Sequence, residues 1–291
     1  MTVNRFSAVP PTCVLALLLC ACASPRPPRK FALPDAIREA SGLVIEGRRM
    51  RWHNDSGDGP YLYTTDLHGK LLATDTLDAR AVDYEDLTRD AAGLLYVGDF
   101  GNNRGLRDRQ VIYRYDTATR RTDSIVYTYP GQNGGGIDLP GNYNCEAMVA
   151  ADGYLHLFTK DVLGPVRPFY VRHFRLPARP GHYVAEPVDS LYLPRRVITG
   201  AALDAEAQTL YLVAYNFRTV LGFLPLGGAS LITVTDYPAG RFLRGRLRRR
   251  NLAWALPTQQ EAVAIYDDRY LYVAAEATRI RRRATVRRIR R

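Results

Sequence analysis

Five stretches of this sequence follow one plan, and this repetition constrains the fold more than any other feature. In each stretch a short polar-then-apolar segment leads through an acidic or glycine turn into a strand of the Leu-Tyr-Val type. The paired segments of the five stretches begin at Glu39 and Met50, Asp83 and Leu95, Asn144 and Leu155, Thr199 and Leu210, and Gln260 and Leu271. One or two further strand-like runs follow each pair. Units of about 45–60 residues with four strands each are typical of a β-propeller.

The repeat therefore predicts an all-β chain that forms a propeller of five blades. Runs rich in Val, Leu, Tyr and Thr alternate with Gly, Asp, Asn and Pro, and the 19 tyrosines favour strands. The fifth unit lacks an obvious fourth strand, and we expect the N-terminal stretch from Phe31 to supply it and close the ring, which removes free sheet edges. Six blades would require a unit that the sequence does not show, and a pair of β-sandwiches would not explain the shared motif.

The fourth unit is the least regular of the five. We expect its third strand at residues 220–223 and its fourth at residues 231–235. The arginine-rich residues 241–250 then become an exposed basic loop between blades.

The N-terminus predicts export and a lipid anchor. Arg5 precedes an apolar run over residues 13–23, which is too short to span a bilayer but has the length of a signal-peptide core. The run ends in Leu19-Cys20-Ala21-Cys22, which resembles the bacterial lipobox, and this resemblance implies cleavage before Cys22 and lipidation of that cysteine. Residues 1–21 are then a lipoprotein signal peptide, 22–30 a Pro-rich tether and 31–291 a single propeller domain. We expect an exported protein anchored to a bacterial membrane, facing the periplasm or the cell surface; a plain secretory signal is the alternative.

The mature chain would retain two cysteines, Cys22 and Cys145. If Cys22 carries a lipid, Cys145 has no partner and no disulfide is expected. No histidine lies near Cys145 in sequence, so a buried structural thiol is favoured over a nucleophile.

The net charge of +11 belongs to two short runs rather than to the body of the chain. Fourteen of the 40 cationic residues lie in residues 241–250 and 279–291, and the remainder carries a small net negative charge. This excludes a domain that binds nucleic acid over a basic surface. The C-terminal run fits a closing strand with a solvated face, and a membrane-facing role is the alternative.

Carboxylates recur at one position of the repeat. The first strand of each propeller blade lines the central channel, and the five units place Ser41, Glu85, Glu146, Gly200 and Glu261 at the same level. Three carboxylates around one channel repel each other unless a cation, a ligand or raised pKa values relieve them. Hard oxygen ligands suit Ca²⁺ or Mg²⁺, and zinc is disfavoured because cysteine and histidine clusters are missing.

Polar loops after the second strands add further candidates. We assign His53, Asp55 and Asp83 to catalysis, and as ligand-binding residues we name Asn54, Asp86, Asn103, Lys160 and Glu276. The alternative for the Asp and Asn residues is ordinary turn chemistry, and for His53 a structural role at a strand end. No nucleotide or haem is expected; Gly131–Gly136 lacks the Lys-Ser/Thr ending of a P-loop and is interpreted as a flexible loop.

The segments "EASGL…WHNDSGD…LYTTD", "DYEDL…LYVGDFGNN…IYRYD" and "NCEAM…LHLFTKD" resemble exported bacterial β-propeller lipoproteins. They are similar to phytase-like, SdiA-regulated and NHL-type propellers, and more distantly to calcium-dependent lactonases, over about residues 39–175. The lactonase likeness implies a divalent cation, Ca²⁺, held by Glu, Asn and Asp side chains. Glu85 and Glu146 with Asn102 or Asp99 would take that part, and Glu261 joins them through the repeat.

Three functions remain open from the sequence. The first is a monomeric, lipid-anchored propeller that binds a small or polymeric ligand in an acidic funnel with a divalent cation. The second is a metal-dependent hydrolase of esters, lactones or phosphate esters. The third is a glycoside hydrolase with paired carboxylates. No Gly-x-Ser-x-Gly elbow is present, which argues against a serine hydrolase of that type.

Overall fold

The computed structural model describes residues 27–160, 169–216, 228–252, 259–278 and 282–291, and the backbone of 219–220 and 224–225. The predicted signal peptide and Cys22 lie outside these residues. The predicted tether is described only from residue 27, and its last residue, Lys30, already belongs to the first strand. Within the described part of the chain, no helix has the length and hydrophobicity needed to cross a membrane.

Five sheets with four principal strands each form a β-propeller of five blades, as predicted. A short first strand precedes them, β1 (Lys30–Ala32). Blade 1 contains β2 (Ala40–Glu46), β3 (Arg49–Asn54), β4 (Tyr61–Asp66) and β5 (Leu71–Thr76). Blade 2 contains β6 (Tyr84–Arg89), β7 (Leu95–Asp99), β8 (Gln110–Asp116) and β9 (Arg121–Thr128). Blade 3 contains β10 (Cys145–Ala151), β11 (Tyr154–Thr159), β12 (Tyr170–Pro177) and β14 (Glu186–Tyr192), while β13 (Gly181–Val184) pairs in parallel with β9 of blade 2.

The last two blades complete the ring. Blade 4 contains β15 (Arg196–Asp204), β16 (Thr209–Asn216), β19 (Ala229–Thr235) and β20 (Arg246–Asn251). A two-stranded pair, β17 (Thr219–Val220) and β18 (Leu224–Pro225), lies between β16 and β19 in the chain, and a 3₁₀ turn (Phe242–Arg244) lies between β19 and β20. Blade 5 contains β21 (Gln260–Ile265), β22 (Tyr270–Ala275) and β23 (Thr285–Arg290). Its fourth strand is β1, which pairs antiparallel with β23. The predicted closure of the ring by the N-terminal strand is thus confirmed.

The structure corrects the prediction for the fourth blade. The third strand of this blade is β19, which the sequence analysis took as the fourth; of residues 220–223 the structure describes only Val220, which belongs to the small β17–β18 pair. The fourth strand is β20, inside the stretch expected to be a loop. All six residues of β20 are exposed, so the strand lacks the apolar alternation by which strands are recognised.

The core lies between neighbouring blades rather than within a single layer. Trp52 and Met50 of blade 1 pack with Tyr272 and Val286 of blade 5, and equivalent clusters fill the other interfaces. Trp52 is fully buried and its Nε1 donates to Thr65 Oγ1 over 3.0 Å, so its polar atom is satisfied. Cys145 is a buried free thiol in the cluster between blades 2 and 3, in agreement with the structural role expected for it.

The first strands of the blades surround the central channel. They contact one another in a closed cycle, β2 with β6, β6 with β10, β10 with β15, β15 with β21 and β21 with β2. Each of them carries a β-bulge at the same place, where one extra residue interrupts the pairing with the second strand. A bulge bends the strand and redirects the side chain of the extra residue. The five bulged residues, here called the bulge ring, are Ser41, Glu85, Glu146, Thr199 and Glu261.

The bulge ring agrees with four of the five positions predicted from the repeat. In blade 4 the bulged residue is Thr199 rather than Gly200, because the pairing with β16 shifts between Ile198 and Gly200. Gly200 lies one step further along the strand, where a Cβ would come within 2.4 Å of the Glu261 carbonyl oxygen. The glycine is therefore required by the close approach of blades 4 and 5.

Candidate metal and ligand site at the channel mouth

The bulge ring combines two hydroxyl groups with three carboxyl groups. Ser41 Oγ donates to the Glu85 carbonyl oxygen over 2.6 Å, and Thr199 Oγ1 donates to the Gln260 carbonyl oxygen over 2.6 Å. Each hydroxyl thus ties its blade to the next. The three glutamates are buried as well, and the charge of Glu146 acts on both Glu85 and Glu261.

The channel is filled one level below the bulge ring. Four of the five residues there are small, Gly42, Ala147, Gly200 and Ala262. The fifth, Asp86, accepts hydrogen bonds from the Met148 N–H over 2.7 Å and from its neighbour Leu87 over 2.8 Å, and also from the backbone of Ala201. These bonds join blade 2 to blades 3 and 4. Asp86, predicted to bind a ligand, instead has its carboxylate occupied by the backbone and closes the floor of the site.

A second set of side chains lies above the bulge ring, where the second strands end. Asp55 follows β3, Lys160 follows β11 and Glu276 follows β22, while Tyr215 is at the end of β16. The backbone N–H groups of Asp55, Lys160 and Glu276 donate to the residues that precede the first strands, at 3.0, 2.8 and 3.2 Å. This shared backbone contact holds the three side chains at one height. The sequence analysis had named all three as site residues.

Three carboxyl groups from two neighbouring blades form a compact cluster. Asp55 of blade 1 and Asp83 and Glu85 of blade 2 each offer one oxygen, and these oxygens lie within 4.8 Å of one another. Asp55 and Asp83 are half-buried and Glu85 is buried. No other such group of three potential ligands occurs in the described residues. The expected grouping of Glu85 with Glu146 and Glu261 is therefore replaced by one with Asp55 and Asp83, to which the sequence analysis had given catalytic roles.

Gly101 allows the backbone to approach this cluster. A Cβ on Gly101 would lie 2.3 Å from Glu85 Oε1 and 2.4 Å from Asp83 Oδ2. The Gly101 N–H donates to the Asp83 carbonyl oxygen over 3.1 Å, which fixes the loop after β7 beside β6. Any other residue at this position would fill the space in front of the two carboxyl groups.

The electrostatics of the mouth favour protonated or cation-bound carboxyl groups. Burial, with the charges of Asp55 and Glu146, raises the pKa of Asp83 to about 7. Burial, with the charges of Asp55 and Glu39, raises the pKa of Glu276 to about 8. Burial and the charge of Glu146 also hold the pKa of Glu85 well above its usual range. Each of these shifts reports a site where negative charge is crowded and poorly solvated.

Lys160 is the cation that partly balances this charge. Its Nζ donates to Glu146 Oε2 over 2.8 Å and lies 5.6 Å from the centre of the Tyr215 ring. Burial would lower the pKa of Lys160, but the carboxylate of Glu146 and the other acids nearby raise it well above the ordinary value. Asn144 donates to the other oxygen, Glu146 Oε1, over 2.7 Å. Both oxygens of Glu146 are therefore engaged. Burial also raises the pKa of Glu261 well above its ordinary value, against the opposing effect of Lys160.

Asp99 and Asn102, which were predicted to be metal ligands, instead form hydrogen bonds that hold loops in place. Asp99 accepts from Arg107 Nη1 over 2.8 Å and from the backbone of Val82 and Asp83. Asn102 accepts from the Arg107 N–H over 3.1 Å and donates to the Tyr143 carbonyl oxygen over 3.3 Å. These contacts position the loops of blades 2 and 3 at the mouth. The sequence cannot separate a ligand from a loop residue here, because both uses select Asp and Asn.

His53 and Asn54 are also structural in this conformation. His53 is fully buried, its Nδ1–H donates to the Asn54 carbonyl oxygen over 2.9 Å, and burial lowers its pKa. Asn54 donates to Ala36 and Asp58 and accepts from the backbone of Glu39. The structure thus does not bring His53 or Asn54 to the surface of the mouth. Asn103, by contrast, is exposed there and accepts from Asn144 over 3.1 Å.

Sequence reasoning missed several residues that shape the site, among them Gly101, Arg107, Asn144 and Tyr215. Asn144 immediately precedes β10, as Asp83 immediately precedes β6. The repeat register was the signal that could have identified it. The contact of Lys160 with Tyr215 joins blades 3 and 4 and could be seen only after the ring was assembled.

No protein-family model matches the sequence, and no curated protein matches it significantly. Among solved structures, the chain is similar to an exo-β-1,3-galactanase from Clostridium thermocellum, with 11% identity and a TM-score of 0.56 over 90% of this chain and 63% of that chain. It is similar to an exo-1,5-α-L-arabinanase from a bovine ruminal metagenomic library, with 10% identity and a TM-score of 0.50 over 89% of this chain and 95% of that one. A gluconolactonase from Xanthomonas campestris gives 15% identity and a TM-score of 0.48, over 90% and 89% of the two chains. The neighbours are β-propeller proteins, and at these identities the likeness extends to the fold alone.

Proposed function

We propose that this chain is an exported, lipid-anchored propeller that binds a divalent cation, and through it an oxygen-rich ligand, at the channel mouth. The observation that carries the proposal is the cluster of Asp55, Asp83 and Glu85, whose oxygens lie within 4.8 Å of one another. A ligand that presents hydroxyl, carboxylate or phosphate oxygens complements a cation held this way. Lipidation at Cys22 and attachment to a membrane belong to the same proposal and rest on the sequence of the N-terminus.

The residues present fit such a cation. The donor set is all oxygen, which Ca²⁺ prefers, and three carboxylates supply the charge that a moderate calcium affinity requires. The glycine at position 101 keeps open the space that a Cβ would take, 2.3 Å from Glu85 Oε1. The pKa of Asp83, raised to about 7, means that a cation must displace a proton from this cluster at neutral pH. Asp55, Asp83 and Glu85 would hold the ion, and Glu146 with Lys160 would border the ligand.

Thermal unfolding of the full chain with calcium and with a chelator tests the proposal. Binding to the folded state alone raises the melting temperature, and with about 5 mM Ca²⁺ we expect a rise of about 2–4 °C relative to EDTA. The Asp83→Asn variant should lose this rise, whereas Asp138→Asn, which changes an exposed aspartate of a nearby loop, should keep it. A melting temperature that is the same with Ca²⁺, Mg²⁺ and EDTA would overturn the cation site.

A glycoside hydrolase is the second candidate, and one observation favours it. Asp83, with its pKa near 7, can hold a proton at neutral pH. Burial raises the pKa of Glu146 as well, but Lys160 and Asn144 donate to its two oxygens and favour its ionised form. Two carboxyl groups with different protonation states are what acid-assisted glycoside cleavage requires. Two of the similar solved structures are a galactanase and an arabinanase, and at 11% and 10% identity they add a likeness of fold alone.

Hydrolysis assays separate the candidates. The full chain is incubated with aryl glycosides, with arabino- and galacto-oligosaccharides, and with aryl esters, lactones and phosphate esters, each with Ca²⁺ and with EDTA. A bound cation would polarise the oxygen of an ester, lactone or phosphate ester, so turnover of these that EDTA abolishes favours the metal-dependent hydrolase. Glycoside cleavage that resists EDTA and falls at least a hundredfold in Asp83→Asn and Glu146→Gln favours the glycosidase. Calcium-dependent stabilisation without turnover leaves the binding function.

A further inference from the structure

The arginine-rich strand β20 and its neighbours in blade 5 form a basic groove on the outside of the propeller. Arg246, Arg248 and Arg250 alternate along β20, so their side chains leave one face of this outermost strand of blade 4. Arg287 of β23 and Lys30 of β1 are directly paired across blade 5 and therefore share a face of it. Here the basic groove means Arg246, Arg248, Arg250, Arg287 and Lys30.

Two hydrogen bonds show that these faces meet. The Arg250 guanidinium donates to the carbonyl oxygen of Arg290 in blade 5. In the opposite direction, Arg287 Nη2 donates to the carbonyl oxygen of Leu252, just after β20, over 2.9 Å. Strands β20 of blade 4 and β23 of blade 5 are thus bridged by arginines that use backbone carbonyl groups, rather than carboxylates, as partners.

No acidic residue among those that the structure describes compensates the charge of the basic groove. None of the five side chains takes part in an ion pair with a described acidic residue, although other arginines do, such as Arg291 with Asp204 and Arg283 with Asp35. Burial and the charges of Arg248 and Arg287 lower the pKa of Arg250, which reports the mutual repulsion in the groove. Anions from outside the chain would relieve the repulsion between these like charges.

The position of the N-terminus says which anions these are. Lys30 begins β1, the outermost strand of blade 5, and the Arg288 N–H donates to the Arg29 carbonyl oxygen just before it. Cys22 lies eight residues before Lys30, a distance that even a fully extended chain limits to about 29 Å. The lipid anchor proposed above would therefore hold this edge of the propeller, rather than its opposite side, against the bilayer.

We propose that the basic groove between blades 4 and 5 docks on anionic phospholipid headgroups of the membrane that holds the anchor. The planar guanidinium group of arginine can donate two parallel hydrogen bonds to phosphate oxygens. A lipid chain together with a cluster of basic residues attaches a protein to a membrane more firmly than either does alone. Docking through this edge places the outside of blades 4 and 5, rather than an end of the central channel, against the bilayer. The orientation step rests on the anchor of the proposed function, while the headgroup contact does not.

Vesicle binding tests the groove separately from the anchor. The full chain with Cys22→Ser, which cannot be acylated at that residue, is mixed with vesicles of phosphatidylcholine alone or with about 30% phosphatidylglycerol, at low and high salt. The readout is the ratio of the two partition coefficients, because apolar contributions from the N-terminus are equal for both vesicles. We expect a ratio well above one at low salt that falls towards one at about 0.5 M NaCl.

Matched triple variants localise the effect. Arg246→Gln/Arg248→Gln/Arg250→Gln should lower the ratio on the order of a hundredfold, since each basic residue near an anionic surface contributes about fivefold. Arg48→Gln/Arg109→Gln/Arg179→Gln removes the same charge from exposed positions elsewhere and should change it little. Equal binding to both vesicles, or an equal loss in the two triple variants, would overturn the proposal. A chain that ignores the anionic vesicles but binds duplex DNA through the same three arginines would overturn it as well, in favour of a soluble polyanion.

Discussion

Lys160 Nζ lies 2.8 Å from Glu146 Oε2, and this ion pair is buried beneath a mouth lined by further carboxyl groups. Glu146 lies in β10 and Lys160 directly follows β11 of the same blade, and the exposures of the Lys160 and Glu146 side chains are only 14% and 2%. A buried pair contributes little net stability as a whole, whereas removal of one partner leaves an uncompensated charge.

We therefore expect Lys160→Met to destabilise the protein by about 3–5 kcal/mol, measured by urea unfolding at pH 7. The exposed Lys70→Met is the matched control and should change the free energy of unfolding by less than about 0.5 kcal/mol. The double variant Lys160→Met/Glu146→Gln should recover part of the loss, because the remaining buried charge is gone. A double variant no better than Lys160→Met would show that the pair is not what holds this region together.

Replacement of Gly101 should separate the cation site from the fold. In Gly101→Ala the new Cβ would lie within 2.5 Å of Glu85 and Asp83 atoms, so the two carboxyl groups cannot keep their positions. We expect the calcium-dependent rise in melting temperature to disappear, whatever the melting temperature in EDTA. Gly135→Ala is the control, since its Cβ would meet the ends of the Leu139 and Asn133 side chains in an exposed loop rather than carboxyl groups of the site. Full retention of the calcium response in Gly101→Ala would place the cation elsewhere.

The pH dependence of stability follows from the raised pKa values at the mouth. Asp83 and Glu276, with pKa values of about 7 and 8, bind protons in the folded state at pH values where the unfolded chain has released them. Stability from these groups is complete below pH 4 and is lost as the pH rises through 7 and 8. Calcium-free protein should therefore unfold at progressively lower urea concentration between pH 5 and 8.

Two comparisons check the origin of that pH dependence. The double variant Asp83→Asn/Glu276→Gln should flatten the profile, whereas the exposed Glu206→Gln should leave its slope unchanged. Calcium should raise stability most at the alkaline end, where less proton displacement opposes it. A stability that increases steadily from pH 5 to 8 in EDTA would contradict the crowding of carboxyl groups inferred for the mouth.

We expect Asp86 to contribute to the free energy of unfolding but not to calcium binding. Its carboxylate joins blade 2 to blades 3 and 4 through backbone N–H groups, and an amide in its place would offer one acceptor oxygen and direct an NH₂ group at donors. We expect Asp86→Asn to cost about 2–4 kcal/mol in urea unfolding while the calcium response persists. Asp116→Asn serves as control, because Asp116 accepts backbone N–H groups only within its own exposed turn.

The sequence determines the ring more readily than the site. Five similar units and the unpaired character of the fifth predicted the blades and the closure by the segment at Phe31, because repeat length and strand content are local properties. Strand β20 escaped notice because an outermost strand with both faces in solvent need not alternate. The sequence analysis assigned the channel position of blade 4 to Gly200 instead of Thr199, because a bulge adds one residue to a strand without a sequence signature.

At the mouth, the repeat register correctly brought Glu85, Glu146 and Glu261 to one level, since symmetry alone requires it. The register could not predict the ion pairs of Lys160 with Glu146 and of Arg107 with Asp99, because these pairs depend on the conformation of the loops. The association of Asp55 with Asp83 and Glu85 likewise depends on how blades 1 and 2 meet. The residue types in the sequence predicted an acidic channel mouth. Only the assembled ring shows which carboxyl groups pair with cations and which form the cluster of three.

The pairing of β1 with β23 also bears on how the protein comes into being. Lys30 and Phe31 leave the ribosome long before their partners in β23, Arg287 and Val286. Four blades can form from neighbouring segments as the chain emerges, whereas blade 5 has to wait for its final strand. A chain halted or trimmed before residue 285 would keep an open ring with two unpaired strand edges, and such a product would remain vulnerable to proteases.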